Sequence, residues 1–293
     1  MKPSIKLISN YEYKKLFLPE VSTHDLFNES KLQVYRIENY LTSIVIPVNP
    51  YRTSFNFLIF VTKGFVKQQL ETSVFDIKAN EALNIKQGNF TATLELSNDV
   101  EGFFVVYENE IITDIALNKN DLSFFYTSPF LILNAVTFDW IVRAFLLLEE
   151  ELFTTDRVME ICVALFQSIL LKIIRLENKG NEVLSRARYI SFHFREQVQR
   201  DHVNHKTISY YSNLLKISDN YLNKCVKDAT GKPPKQWINE ISILHSQILL
   251  QDNSRDVAGI AFELNYQSPS YFSRLFKKVT GYSPSEYRLQ LAK

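Results

Sequence analysis

At 293 residues the chain exceeds what one small core organises, so two domains are the starting expectation. With 46% hydrophobic and 22% charged residues it has a globular composition, which sets aside disorder, collagen-like repeats and disulfide scaffolds. The net charge of +1 hides a split: residues 181–293 carry 16 basic and 10 acidic side chains, leaving 17 basic and 22 acidic on residues 1–180. A half at +6 beside a half at −5 suits a C-terminal segment that faces a polyanion.

The N-terminal MKPSIKLISNYEYKK is charged and has no apolar core, so no signal peptide is expected. From about 32 to 107 the chain reads as short strands: LQVYRIE, LTSIVIPV, NFLIFVTKG, FVKQQLE, ALNIKQG, TATLELS and EGFFVVYE. They are rich in Val, Ile, Phe and Thr and are divided by Asn-Pro, Lys-Gly and Gly-Asn breakers. Thr91–Leu96 alternates as a half-buried strand does, whereas NFLIFV is apolar throughout and should be buried on both faces. Strands this short and close predict a sandwich or barrel, with Phe55, Phe57, Phe60, Phe65 and Phe75 lining a cavity or filling it.

Beyond Asn109 the period changes to helical, over about 138–152 and 156–177. The windows 130–148 and 161–176 are apolar, but Asn134, Asp139 and Arg143 interrupt the first and Gln167 and Lys172 the second. A central Asp or Arg costs about 2.5–3.5 kcal/mol in a bilayer, so neither is read as a membrane span. The surplus apolar surface predicts packing on the strands, on a second subunit, or on both. The run Glu-Asn-Lys-Gly-Asn-Glu at 177–182 reads as a linker. Cys162 and Cys225 are too far apart in sequence for a metal or redox motif and suit buried thiols in a reducing compartment.

The remaining chain contains an internal repeat. YLNKCVKDATG at 221–231 recurs as YFSRLFKKVTG at 271–281, Pro234 matches Pro284, and Trp237 matches Tyr287. Upstream, Ile208, Tyr211, Ser212 and Leu215 match Val257, Ile260, Ala261 and Leu264. Each copy is a short helix, a turn and a second helix stopped at Thr-Gly, with Ser218 and Ser268 placed as N-caps. Leu222 and Val226, and Phe272 and Phe276, form the buried faces of the second helices. The opposite faces carry Asn220, Asn223, Lys224 and Lys227 in one copy and Ser270, Ser273, Arg274 and Lys277 in the other. Amide, hydroxyl and cationic groups on one exposed helix face can read base edges and grip phosphates. Between the copies, 234–251 has the pattern of one helix, long enough to hold two reading helices about one DNA turn (~34 Å) apart.

These residues resemble the C-terminal DNA-binding domain of AraC/XylS transcription regulators over about 184–292, most densely in NYQSPSYFSRLFKKVTGYSPSEYR. The resemblance implies two helix-turn-helix units, about 207–230 and 256–280, joined by a linker helix within a domain spanning 181–293. It assigns Asn220, Asn223, Lys224, Ser270, Ser273 and Arg274 to bases, with Lys227 and Lys277 nearer phosphates. Three departures stand out: Asn265 for the usual turn Gly, Ser212 for a small apolar residue, and Gly259 inside a helix. Residues 1–180 resemble the family more loosely, as a cupin-like β-barrel with trailing helices. The implied fold is thus α+β and multidomain, with an all-α C-terminal domain. The implied protein is a cytoplasmic activator that binds double-stranded promoter DNA and contacts RNA polymerase. A small-molecule effector, or dimerisation through helices 138–177, would control it; an N-terminal domain that only dimerises remains the alternative.

An enzyme reading has little material. No His lies between His24 and His193, so a cupin metal site lacks its His-x-His ligands, and seven glycines supply no phosphate-cradling loop. No catalytic residue, metal or cofactor is assigned. His202 and His205, beside Asp201, are read as part of a solvated inter-helix loop.

Overall fold

The computed structural model describes residues 7–9, 12, 13, 15, 31–40, 44, 46–112, 128–180 and 186–291. The chain divides into two compact units, one built mainly from Leu7–Val48 and Arg52–Val183, the other mainly from Leu184–Lys293.

In the first unit the strands are β1 (Leu32–Arg36), β2 (Tyr51–Arg52), β3 (Asn56–Lys63), β4 (Phe65–Leu70), β5 (Ser73–Lys78), β6 (Glu81–Ile85), β7 (Phe90–Leu96), β8 (Glu101–Tyr107) and β9 (Phe130–Ile132). A single-turn helix α1 (Ile37–Tyr40) follows β1. The strands form two sheets, β1-β8-β3-β6-β9 and β2-β7-β4-β5, with no closed ring among the described residues. Helices α2 (Ala135–Phe153) and α3 (Met159–Gly180) follow the strands. Asn134 caps α2 by accepting the Thr137 N–H at 2.9 Å.

Alternation along β3 divides its aromatic residues between two faces. Phe60 joins the layer under the helices, stacked on Phe138 at 5.5 Å and packed with Phe103 and Phe145. Phe57 points the other way, toward Phe55 and Phe104. The five phenylalanines expected to share one interior therefore do not, because positions 57 and 60 differ by an odd number on a period of two. Ile141, Phe145 and Leu148 of α2 and Phe166, Ile169 and Leu170 of α3 bury against the Phe60 face. Each such side chain contributes about 1.5–3 kcal/mol. A bidentate pair, Arg36 Nε and Nη2 donating to Glu149 at 2.8 and 2.6 Å, fastens β1 to α2.

Several expectations need correction. Within LTSIVIPV, the described residues Ile44, Ile46, Pro47 and Val48 form no strand; Pro47 has no N–H to give a ladder. NFLIFV is buried throughout, but TATLELS is not half-buried along its length: Thr91, Ala92 and Thr93 are all buried. Thr91 tolerates this because its hydroxyl donates to the Gln69 carbonyl at 2.7 Å. The window beginning at Phe130 opens as strand β9 rather than as helix, and α3 continues through Gly180 into the run read as a linker; residues 181–185 lie outside the described residues. Cys162 and Cys225 are buried free thiols. Among the described residues no helix is long and apolar enough to cross a membrane.

Over the described residues 186–291 the second unit is built of helices α4 (Arg186–Asp201), α5 (Ile208–Leu214), α6 (Asp219–Thr230), α7 (Pro234–Leu250), α8 (Val257–Glu263), α9 (Pro269–Thr280) and α10 (Pro284–Leu291). Ile190, Phe194 and Val198, one turn apart, bury one face of α4, which packs against α6. Ile260, Leu264, Phe272 and Phe276 form a second core with Ile243 and Leu250 of α7. One long helix thus carries both helix pairs.

Candidate nucleic-acid interface

The two copies of the repeat fold alike, down to single hydrogen bonds. Ser218 Oγ accepts from Tyr221 N and Ser268 Oγ from Tyr271 N, both at 3.2 Å. At the far ends Gly231 (φ 73°) and Gly281 (φ 85°) take the left-handed conformation that a side chain would oppose. Their N–H groups donate to the carbonyls of Lys227 and Lys277. Thr230 and Thr280 return their hydroxyls to the Val226 and Phe276 carbonyls at 2.7 and 2.9 Å. Trp237 adds an indole N–H bond to Thr230 Oγ1 at 3.0 Å, where its counterpart Tyr287 packs edge-on against Phe276.

The turns differ in how they are held. Asn265 (φ 58°) adopts the left-handed conformation that Asn tolerates in place of Gly, and in the first copy Lys216 (φ 54°) does the same without sequence warning. Ser212 is buried and satisfied: its hydroxyl bonds Asp219 Oδ1 and the Ser209 carbonyl, while Ser209 donates to Asp219 Oδ2 at 2.7 Å. These hydroxyls hold the Asp219 carboxyl below the usual carboxylate range. In the second copy Ala258, Ala261 and Pro269 take the corresponding places, so that turn lacks this hydroxyl–carboxylate network. Gly259 lies over its own cap: the Asp256 carboxylate accepts the Gly259 N–H, and an added Cβ would meet Asp256 Oδ1 at 2.7 Å.

With both helices anchored by buried faces, their opposite faces are fixed. Asn220, Lys224 and Lys227 are exposed along α6 and Asn223 is half-buried; Ser270, Arg274 and Lys277 are exposed along α9 and Ser273 is half-buried. In each set the spacing i, i+3, i+4, i+7 makes one stripe. Asn223 Nδ2 donates to the Asp219 carbonyl at 2.9 Å, which leaves its amide oxygen and second N–H outside that bond. Lys224, Lys227 and Arg274 form no ion pair among the described residues. Tyr221 and Tyr271, beside these stripes, are exposed at 36% and 46%. In sequence they are matching members of the repeat, an aromatic at a position that no buried face requires.

One expectation about this unit fails. His202 does not lie in a solvated loop: it is buried, its Nε2 is 3.0 Å from His245 Nδ1, and its Nδ1 lies 2.9 Å from the Val198 carbonyl. Among the described residues no group of three His, Cys, Asp or Glu could hold a metal ion.

This geometry defines a tandem helix-turn-helix module. Residues 211–290 match the family described as a helix-turn-helix domain. An uncharacterized HTH-type transcriptional regulator of Bacillus subtilis, YisR, is 31% identical over 102 residues, 35% of this chain and 33% of its own length. The HTH-type transcriptional activator RhaS of an Enterobacter species is 25% identical over 130 residues, 44% of this chain and 43% of that protein. The matched stretch thus spans a third to two fifths of these curated relatives. Among solved structures, ToxT from Vibrio cholerae aligns over 89% of this chain and 100% of its own, at 19% identity and a TM-score of 0.44.

Proposed function

We propose that this protein is a cytoplasmic, sequence-specific DNA-binding transcription activator whose residues 181–293 read two adjacent major grooves of promoter DNA. The observation that carries this reading is the repetition of one capped, anchored helix with an outward polar stripe at each end of α7. At 17 residues α7 is about 26 Å long, a spacer suited to two grooves one turn apart. Asn220, Asn223, Lys224, Ser270, Ser273 and Arg274 face bases; Lys227 and Lys277, toward the helix ends, grip phosphate. Lys227→Ala weakens binding evenly across sequences and lowers the log–log salt slope by about 0.9, the counterion of one phosphate. Equilibrium titration of a bound duplex at several salt concentrations checks this; an unchanged slope removes Lys227 from the interface.

Residues 1–180 form the regulatory half in this reading, answering a small-molecule effector or dimerising so that the C-terminal domain meets DNA and RNA polymerase productively. An internal effector site is supported by Gln68 Oε1, a buried acceptor with no donor among the described residues. Dimerisation is supported by α2, whose outer face carries Arg143, Leu146, Leu147, Glu150 and Phe153, with Leu147 exposed at 56% and Phe153 at 76%, and with half-buried Trp140 at its edge beside Lys172 of α3. Pairing two such helices antiparallel about the point between Leu146 and Leu147 sets Arg143 against the partner subunit's Glu150. The same pairing sets Trp140 against the partner's Phe153, and a two-fold interface requires such self-complementarity. Leu147→Glu should convert a dimer to a monomer in sedimentation equilibrium; an unchanged mass contradicts this surface.

A further inference from the structure

The two reading helices can address adjacent grooves only if their relative orientation is held. The apolar core around Ile243, Leu250, Ile260 and Phe272 attaches the second helix pair to α7, but apolar packing is non-directional. Directional contacts tie single segments to α7, as Trp237 does at Thr230 and Arg288 of α10 does at the Leu250 carbonyl, but one side chain at the entrance to the first pair touches segments of both pairs and α7 together. Lys206 lies just before Thr207, the N-cap of α5. Its Nζ donates to the His202 carbonyl at the end of α4 and to Ser242 Oγ on α7, both at 3.1 Å. The same ammonium lies 4.3 Å from the ring centroid of Tyr266, in the turn of the second pair. The Tyr266 hydroxyl donates to the same Ser242 oxygen at 2.8 Å, and both residues are buried. Lys235, near the start of α7, donates to the Lys206 carbonyl at 2.8 Å.

We infer that Lys206 is a positioning residue for DNA reading: its ammonium joins the first helix-turn-helix pair, α7 and the turn of the second pair, and so fixes the angle between the two reading helices. The inference rests on the proposed DNA-reading function but describes a property of the protein without DNA. Burial and the neighbouring Lys235 push the Lys206 pKa down to about 8, so the charge sits there at a cost to stability. A residue whose role was only to stabilise the fold would be better replaced by an apolar one of similar length.

The test reads the angle directly, without DNA. Nitroxide labels are placed at the exposed positions 228 and 278 (Asp228→Cys, Lys278→Cys) of the full chain, with the buried Cys162 and Cys225 changed to Ala. Pulsed electron-spin resonance then gives the distance distribution between α6 and α9. The parent and Lys206→Arg, whose guanidinium keeps both donor and cation, should each give one narrow distance. Lys206→Met should give a distribution at least twice as broad, with a melting temperature no lower than the parent's. A narrow distribution in Lys206→Met overturns the inference. So does broadening that comes with a lowered melting temperature, which would make Lys206 a general stabiliser, or failure of Lys206→Arg to restore the narrow distance. Because no DNA is present, failure of the DNA-reading proposal would appear separately, as absent binding by a parent with a narrow distance.

Discussion

Phe276→Ala should destabilise the C-terminal unit by about 3–5 kcal/mol, the range for removing a fully buried aromatic side chain and leaving a cavity. Phe276 has no exposed surface and packs against Phe272 at 5.8 Å and Tyr287 at 5.5 Å between ring centroids. With Phe272, it is a side chain by which α9 reaches the core shared with α7, so the space cannot close without moving α9. Against a typical domain stability of roughly 5–15 kcal/mol, much of the folding free energy would be lost. Urea denaturation followed by the fluorescence of Trp237 measures it. A loss below about 1 kcal/mol would mean that α9 is not anchored through this face.

Arg274→Ala should leave stability unchanged and weaken binding to the preferred DNA by about 1–3 kcal/mol, roughly 5- to 150-fold, while relaxing the preference at one base position. Arg274 is exposed in the middle of the outward stripe of α9, three and four residues from Lys277 and Ser270. Its guanidinium has the planar fork that matches guanine O6 and N7. Arg274→Lys should restore only part of the affinity, since an ammonium cannot form both bonds in one plane. Competition against duplexes altered one base pair at a time separates the two effects. Uniform weakening across all sequences would move Arg274 from a base to a phosphate.

The C-terminal unit was legible because its information is local. Caps at Ser218 and Ser268, Thr-Gly stops, and apolar residues four apart are short-range features, and the repeat doubled each of them. The first unit was less legible because its pairings are long-range. Strand β5 and the two-residue β2 carry too little pattern, and LTSIVIPV has strand composition without a ladder. Which face Phe57 or Phe60 occupies follows from register with β6 and β8, some 25 and 45 residues away, not from composition. In the interface, the stripes followed from helix period alone. The polar joint of Lys206, Ser242 and Tyr266 did not, since it unites three segments that no sequence spacing links. His202 shows the same limit: a histidine after a helix end looks solvated until His245, 43 residues later, is seen beside it.

In the proposed function, two helices at either end of α7 read two adjacent grooves of one DNA duplex. Selection of bound sequences from a pool of randomised duplexes by the full-length protein, followed by titration of the selected duplex over a range of salt, tests it most directly. Two fixed sequence blocks separated by about one helical turn are expected, with affinity falling steeply and linearly on a log–log salt plot. No enriched sequence, a single block, or binding that salt does not weaken would contradict it.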